Sequence, residues 1–130
     1  MMKVYLAGPI DRVSEGDAKM WRDEASTILQ GMGCLPIDPM RGKSRPYLYS
    51  DAEIDNRDIW DVYQSDIVLA YLPPEQVTYG TFVEIGLARA WRKLLVVVGD
   101  PRTPLVRHYA VRCFETLAEA LGWLEKEGLP

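Results

Sequence analysis

The segment that decides the fold is Leu94-Leu95-Val96-Val97-Val98-Gly99-Asp100, in which five apolar residues precede a turn signal. A strand without a polar residue is typical of the centre of a parallel sheet, where both faces are covered. Further short apolar runs precede it in the sequence, at Val4–Ala7, Leu35–Ile37 and Ile67–Tyr71. Segments with the helical period separate these runs, so the sequence predicts alternating strands and helices.

The helical segments are defined by apolar residues that recur every three or four positions. They are predicted to run from Asp17 to about Gly31–Gly33, from a cap at Ser50 or Asp51 past Val62, from Gly80 to about Arg92, and from Thr116 to Lys126. The second helix carries Ile54, Ile59 and Val62. Between Asp100 and the last helix we expect an irregular stretch and a short strand near Arg112–Phe114.

This alternation predicts an α/β fold in three layers, a flavodoxin-like or Rossmann-like parallel sheet of about five strands with helices on both faces. No internal repeat, low-complexity tract or linker interrupts residues 1–130, which we expect to form one domain. Ligands of such sheets bind beyond the carboxyl ends of the strands. Three loops are therefore expected to surround the site, Gly8–Gly16, Asp38–Ser50 and Leu72–Gly80.

Composition narrows the class of protein. Fifteen Lys and Arg against 19 Asp and Glu give a formal net charge of -4, which argues against a nucleic-acid polymer as partner because its phosphates require a basic face. The apolar runs are far shorter than the roughly 20 residues of a membrane-spanning helix, and the first residues do not resemble an export signal. Cys34 and Cys113 are far apart, so we expect reduced, buried thiols and a cytoplasmic protein.

The common nucleotide-binding and hydrolase motifs are absent from the sequence. There is no G-x-x-x-x-G-K-[ST], and no G-x-G-x-x-G follows the first strand, which argues against ATP and nicotinamide enzymes of the usual kinds. There is no G-x-S-x-G motif, and the single histidine, His108, lies in a mixed segment. We therefore expect neither a Ser-His-Asp triad nor a zinc site.

Glu84 is the most informative carboxylate because it lies on an apolar face, one turn inside the third helix. Its neighbours three and four residues away are Gly80, Thr81, Leu87 and Ala88. A carboxylate among such residues is unfavourable unless it has a partner or a chemical role. A first-turn glutamate that is stabilised by the helix dipole is the alternative, but the apolar flanks favour a functional role.

Asp58 has a similar placement in the second helix, where it projects between Ile54 and Val62. The other aspartates of this helix are interpreted as solvated charges: Asp51, Asp55 and Asp61. For Asp58, solvated and functional roles fit the helical geometry equally well. Both helices begin at the same end of the sheet, so Asp58 and Glu84 can face one pocket. A pair of carboxylates in one pocket can cleave a glycosidic bond, one as nucleophile and the other as acid.

Three blocks of sequence resemble the nucleoside 2-deoxyribosyltransferase family. They are Val4-Tyr5-Leu6-Ala7-Gly8-Pro9-Ile10, Asp58-Ile59-Trp60-Asp61-Val62-Tyr63-Gln64-Ser65-Asp66-Ile67-Val68-Leu69-Ala70 and Tyr79-Gly80-Thr81-Phe82-Val83-Glu84-Ile85-Gly86-Leu87-Ala88. Their order and spacing match the family from Lys3 to about Val98, and the block G-T-x-x-E-x-G-x-A is the most specific of the three.

The resemblance implies an enzyme of nucleotide salvage that exchanges the base of a 2'-deoxynucleoside. Glu84 matches the glutamate that attacks C1' and forms a deoxyribosyl ester, and Asp58 matches the aspartate that passes protons to and from the bases. Substrate binding is implied for Tyr5, Gly8, Pro9, Ile10, Asp38, Met40, Thr78 and Gly80. No metal or organic cofactor is implied. The implied partners are a nucleoside or nucleoside monophosphate, a free nucleobase, and further copies of the chain that close each pocket in a homodimer or larger homo-oligomer.

One position departs from the transferases and leaves alternatives open. Transferases commonly have an acid six residues before the nucleophile, to hold the sugar 5'-hydroxyl, and this chain has Thr78 there. A small hydroxyl residue resembles the related 2'-deoxynucleoside 5'-monophosphate N-hydrolases, in which it helps to hold the phosphate. Those hydrolases have an arginine where Asp11 aligns, although Arg12 is adjacent. An N-glycosidase that acts on a nucleoside monophosphate and a nucleotide-sensing module without turnover are therefore the alternatives.

Overall fold

A computed structural model describes residues 1–10, 13–41, 50–76 and 78–128. Within these ranges, the strands are β1 (Lys3–Ala7), β2 (Leu35–Ile37), β3 (Ile67–Leu72), β4 (Leu94–Gly99) and β5 (Arg112–Phe114). They form a five-stranded sheet in the order β2-β1-β3-β4-β5, in which all neighbouring pairs are parallel. The predicted α/β fold is therefore confirmed, and the strand order is the flavodoxin-like one.

The helices of the described ranges are α1 (Glu15–Gly31), α2 (Asp51–Gln64), α3 (Tyr79–Ala90), α4 (Pro104–Tyr109) and α5 (Leu117–Trp123), and a π-helical turn, Leu124–Gly128, follows α5. Ser50 begins α2 with a capping box, because its side chain accepts from the N–H of Glu53 and the Glu53 carboxylate accepts from the N–H of Ser50. The predicted helices therefore begin close to their expected positions.

Helix α4 corrects the sequence analysis, which expected an irregular stretch after β4. The hydroxyl of Thr103 caps this helix by accepting from the N–H of Val106 at 3.1 Å. Pro104 occupies the first turn, where its missing N–H costs nothing. The helix is only six residues long, which is too short for a periodic apolar pattern to reveal it.

The sheet separates two apolar cores, to which the side chains of each strand contribute alternately. Leu6, Leu69 and Val98 pack on one side with α1 and α5, which we name the α1/α5 side. Tyr5 and Val68 pack on the other with α2, α3 and α4, which we name the α2/α3 side. The helices of the described ranges include none with the length and apolarity to cross a membrane.

The strand order places a crevice between the ends of β1 and β3. The chain leaves β1 towards β2 through α1 on one side of the sheet, and it reaches β3 through α2 on the other. A parallel sheet binds ligands where the connections diverge in this way. The residues that follow β1, β2 and β3 therefore surround the place where a site is expected.

Candidate active site

Glu84 lies beside this crevice and is held by a buried tyrosine. Tyr5 is fully buried in β1, and its Oη donates a hydrogen bond to Glu84 Oε2. Burial, and then the negative charges of Glu84 and Asp58, raise the pKa of Tyr5 far above its ordinary value of 10.0. The Tyr5 hydroxyl therefore stays protonated and orients the carboxylate over the whole neutral range.

Asp58 lies on α2, and its negative charge raises the pKa of the same tyrosine. Its Oδ1 is 3.8 Å from Nη2 of Arg57, and both side chains are mostly buried. The charges of Asp58 and Glu84 both act on Tyr5 and on the guanidinium of Arg22. The two carboxylates that the sequence singled out therefore lie near one group, the hydroxyl of Tyr5.

The residues that follow β1, Gly8–Ile10, form one wall of the crevice, which we name the β1 wall. Gly8 and Pro9 are buried and Ile10 is partly buried. A Cβ at Gly8 would lie 2.6 Å from Cζ2 of Trp21 and 3.3 Å from the carbonyl oxygen of Tyr71. Only glycine therefore allows this close approach of the backbone to the indole ring.

The turn that follows β2, Asp38–Arg41, lies next to the end of β1 on the side away from β3, and we name it the β2 wall. Asp38 Oδ1 accepts from the N–H of Met40 at 2.8 Å, and Arg41 Nη1 donates to the carbonyl of Asp38 at 2.9 Å. From α2, Arg57 donates to the carbonyls of Pro39 and Arg41 at 2.7 and 2.8 Å. The turn is therefore fixed on the helix that carries Asp58.

Asp61 is a correction, because the sequence analysis interpreted it as a solvated charge. Its side chain is 7% exposed, and Oδ2 accepts from Nη2 of Arg41 at 2.6 Å. Asp55 is exposed as expected, and the side chain of Asp51 lies outside the described residues. Asp61, and Ser65 directly after the helix, are buried, whereas Ile59, which we expected among the apolar residues of the helix, is 42% exposed. The buried face of α2 therefore differs from the expected one.

Thr78 and Gly80 lie at the start of α3. Thr78 is buried, and its hydroxyl donates to the hydroxyl of Thr81, which is also buried. Gly80 is exposed. The first turn of this helix has no acidic residue. Asp11 and Arg12, which the sequence analysis discussed beside Thr78, lie outside the described residues.

Arg22 belongs to the same region, and the sequence analysis missed it. The side chain is fully buried, and it donates to the carbonyls of Leu6, Gly8 and Ala18 at 3.3, 2.8 and 2.7 Å. A signal was present in the sequence, because position 22 is four residues after Ala18 and three before Ala25, within the apolar stripe of α1.

Large apolar side chains remain exposed next to the site, on a surface that we name the outer face of α2 and α3. Its members are between 42% and 77% exposed: Ile59, Trp60, Tyr63, Tyr79 and Val83. The rings of Trp60 and Tyr63 stack with their centroids 5.5 Å apart. Large exposed apolar residues of this kind are typical of interaction sites.

Comparison with known families gives one match. The family model described as nucleoside 2-deoxyribosyltransferase matches residues 4–124 of the 130. No curated protein sequence matches the chain significantly. The match includes both carboxylates and both walls of the crevice.

Solved structures resemble the chain over nearly its whole length. A 2-deoxyribosyltransferase from Leishmania mexicana is 19% identical, with 99% of this chain and 100% of that chain covered and a TM-score of 0.76. A 2-deoxyribosyltransferase from Bacillus psychrosaccharolyticus is 20% identical, with coverages of 95% and 90% and a TM-score of 0.74. A CMP N-glycosidase from Clostridium botulinum is 18% identical, with coverages of 95% and 97% and a TM-score of 0.67. At these identities the similarity concerns the fold.

Proposed function

We propose that this chain, which belongs to the nucleoside 2-deoxyribosyltransferase family, exchanges the base of a 2'-deoxynucleoside through a covalent intermediate on Glu84. The observation that carries the proposal is the hydrogen bond from the buried Tyr5 to Glu84, with the charge of Asp58 acting on the same hydroxyl. A carboxylate that is oriented by a protonated tyrosine is suited to attack, and a second carboxylate nearby is suited to proton transfer.

In the first step, a carboxylate oxygen of Glu84 forms a bond to C1' of the sugar. The bond between C1' and the base nitrogen breaks, its electron pair stays with the base, and Asp58 in its protonated form supplies the proton that the base needs. The products are a free base and a deoxyribosyl ester of Glu84. Nucleophilic catalysis divides one difficult displacement into two easier ones.

In the second step, the nitrogen of an incoming base attacks C1' of the ester. The ester C–O bond breaks, the carboxylate of Glu84 is regenerated, and Asp58 takes up the proton that the base releases. The β1 wall and the β2 wall, with Gly8, Pro9, Ile10, Asp38 and Met40, are the surfaces that we assign to sugar and base. Thr78 and Gly80 are assigned to the 5' end of the sugar, since they begin the helix that carries Glu84.

Hydrolysis of a 2'-deoxynucleoside 5'-monophosphate is the second candidate, and one observation favours it. Thr78 stands where transferases commonly have an acid, and the first turn of α3 has no acidic residue to repel a phosphate. In that case water attacks C1' of the same ester, the ester C–O bond breaks, and Asp58 accepts the proton. The products are the free base and deoxyribose 5-phosphate.

Product analysis separates the candidates. The protein is incubated with a 2'-deoxynucleoside and a second free base, and in parallel with the corresponding 5'-monophosphate. A new nucleoside supports transfer, whereas free deoxyribose or its 5-phosphate without a new nucleoside supports hydrolysis and overturns transfer. Binding of either compound by calorimetry without any turnover would contradict both reactions and support the sensor alternative.

A homodimer through the outer face of α2 and α3 is part of the same proposal. Glu84 and Arg89 are the charged residues of α3, and a helix that is apolar nearly all round is expected to be buried. A second copy on this face would also close the crevice beside Glu84. The free thiols of Cys34 and Cys113 are compatible with the cytoplasmic location that we propose.

Sedimentation at micromolar concentration tests the dimer. Val83→Arg places a charge in the middle of the outer face, so we expect the dimer to dissociate. Met20→Arg is the matched control, because Met20 is equally exposed but lies on α1. A monomeric natural protein, or equal effects of the two substitutions, would contradict this interface.

A further inference from the structure

We propose that Arg22 is a positioning residue of the site, which locks the β1 wall to the β2 wall and holds a buried positive charge near the nucleophile Glu84. This inference rests on the proposed function for its effect on catalysis. Its geometric part concerns the two walls alone and can be measured without turnover.

Burial of the Arg22 guanidinium is costly, and the surrounding groups show what offsets the cost. Removal of a charged group from water is unfavourable by several kcal/mol unless hydrogen bonds and opposite charges replace the solvent. Arg22 has three backbone carbonyls as acceptors, and its Nε lies 3.8 Å from Asp38 Oδ1. A neutral side chain such as methionine would fill the space at lower cost. A positive charge at this position therefore points to a role beyond packing.

The contacts of Arg22 join the two segments that follow the paired strands β1 and β2. On one side, its Nη2 and Nε donate to the carbonyls of Gly8 and Leu6, at the carboxyl end of β1. On the other side, it approaches the β2 wall through Asp38 and through Met40, whose Sδ is 3.8 Å from Nη1. One buried side chain therefore fixes the two walls, to which we assign sugar and base, relative to each other.

The charge of Arg22 also acts on the reacting groups. The ionisable groups whose charges act on the guanidinium are, in order of effect, Asp38 after β2, Tyr5 on β1, Glu84 on α3 and Asp58 on α2. Burial lowers the pKa of Arg22, and the carboxylates oppose that effect. A nearby cation favours the ionised form of a carboxylate, and the nucleophile must be ionised to attack.

Two substitutions separate the geometric effect from the charge effect. Arg22→Met removes both, so we expect kcat/KM to fall about tenfold or more and the acid limb of its pH profile to move to higher pH. Arg22→Lys keeps the charge but not the planar arrangement of N–H donors. We therefore expect a lower kcat/KM, with the acid limb of the pH profile unmoved. Lys19→Met is the control, since Lys19 is an exposed cation of the same helix that pairs with Asp23. An acid limb that stays in place in Arg22→Met would overturn the electrostatic role.

Amide hydrogen exchange tests the walls without any assay of activity. In folded Arg22→Met we expect the amides of Gly8, Ile10, Met40 and Arg41 to exchange on the order of tenfold faster, and Lys19→Met to leave them unchanged. If Arg22→Met does not fold, Arg22→Lys carries the same measurement. Unchanged exchange at both walls would overturn the positioning role. Faster exchange in a protein that converts no nucleoside would refute the proposed function and leave this role standing.

Discussion

The two sides of the sheet distribute polar and apolar residues in opposite ways. On the α1/α5 side, apolar residues fill the space beneath the helices and the surface is charged, as in the exposed pair of Lys19 and Asp23 at 3.0 Å. On the α2/α3 side, Asp61 is buried and Asp58 and Glu84 are partly buried, whereas large apolar residues form the outer face. With Arg22 as its buried exception, the first side follows the general rule of globular proteins. Departure from that rule on the second side marks where the chemistry and the interface are expected.

A cavity on the α1/α5 side reaches Pro9 of the β1 wall but neither of the two carboxylates. A cleft of about 560 Å³ opens on the α1/α5 side between α1 and the start of α5, with Trp21 and Tyr71 among its lining residues. Neither Glu84 nor Asp58 lines it. The comparison of the two sides therefore depends on where carboxylates are buried, and paired substitutions on opposite sides can break or sharpen it.

The largest effect is expected for Glu84→Gln, compared with Glu24→Gln on α1. Glutamine keeps the size of the side chain but removes the nucleophile, so we expect kcat to fall roughly 10³-fold or more. Glu24 is exposed on the other side of the sheet, and its replacement should leave kcat unchanged. Initial rates of base exchange measure both, and equal rates in the two variants would remove the distinction between the sides.

Asp58→Asn and Asp61→Asn compare two aspartates on the same face of α2. Asparagine cannot donate and take up a proton as a carboxyl group does, so we expect Asp58→Asn to lower kcat roughly 10²-fold. Asp61→Asn weakens a charged hydrogen bond to Arg41, so we expect a loss of about 1–2 kcal/mol in the free energy of unfolding with kcat nearly unchanged. Urea unfolding and rate measurements decide, and the reverse pattern would exchange the roles of the two residues.

Tyr5→Phe and Tyr71→Phe compare tyrosines that face opposite sides of the sheet. The first loses the hydroxyl that orients Glu84, and the loss of a hydrogen bond to a charged group is expected to lower kcat/KM roughly tenfold. Tyr71 packs its ring against Trp21 at 5.0 Å, and we expect its hydroxyl to be dispensable. A full rate in Tyr5→Phe would show that Glu84 does not depend on this hydrogen bond.

The raised pKa of Tyr5 predicts a pH dependence of stability. The unfolded chain ionises this tyrosine near its ordinary pKa of 10.0, whereas burial keeps it protonated in the folded state. The stabilising effect is therefore complete below pH 10 and is lost as the pH rises above it, at about 1.4 kcal/mol per pH unit. Urea unfolding between pH 9 and 11 should show this loss in the natural protein, and a smaller loss in Tyr5→Phe. Parallel curves for the two proteins would contradict it.

The smallest effect on activity is expected for Gly8→Ala, compared with Gly31→Ala at the end of α1. A methyl group at position 8 meets Trp21 at 2.6 Å, so the β1 wall must move, at a cost of about 1–3 kcal/mol in stability and a few-fold loss of activity. At Gly31 the added carbon lies more than 4 Å from every described atom beyond the adjacent residues and the backbone of the helix itself, and we expect a gain of up to about 1 kcal/mol. Melting temperatures provide the measurement, and a stabilised Gly8→Ala variant would refute the close contact.

Sequence patterns were sufficient for the fold, and they singled out Glu84, whose carboxylate accepts a hydrogen bond from Tyr5. The apolar run of β4 and the spacing of the helices depend on local periodicity, and Glu84 departs visibly from the apolar pattern around it. Arg22 and Asp61 were missed because their partners, Gly8 and Arg41, are distant in sequence and are identified only by tertiary contacts. Whether a charged side chain is buried depends on those contacts, which periodicity does not contain.

The central claim is a covalent bond between Glu84 and the sugar. The protein is mixed with a 2'-deoxynucleoside, or its 5'-monophosphate, without an acceptor base, quenched rapidly in acid, digested and examined by mass spectrometry. We expect the peptide that contains Glu84 to gain the mass of one deoxyribosyl group, or of its 5'-phosphorylated form, and the Glu84→Gln protein to gain none. Release of base without any adduct on Glu84, or with an adduct on another residue, would contradict the account.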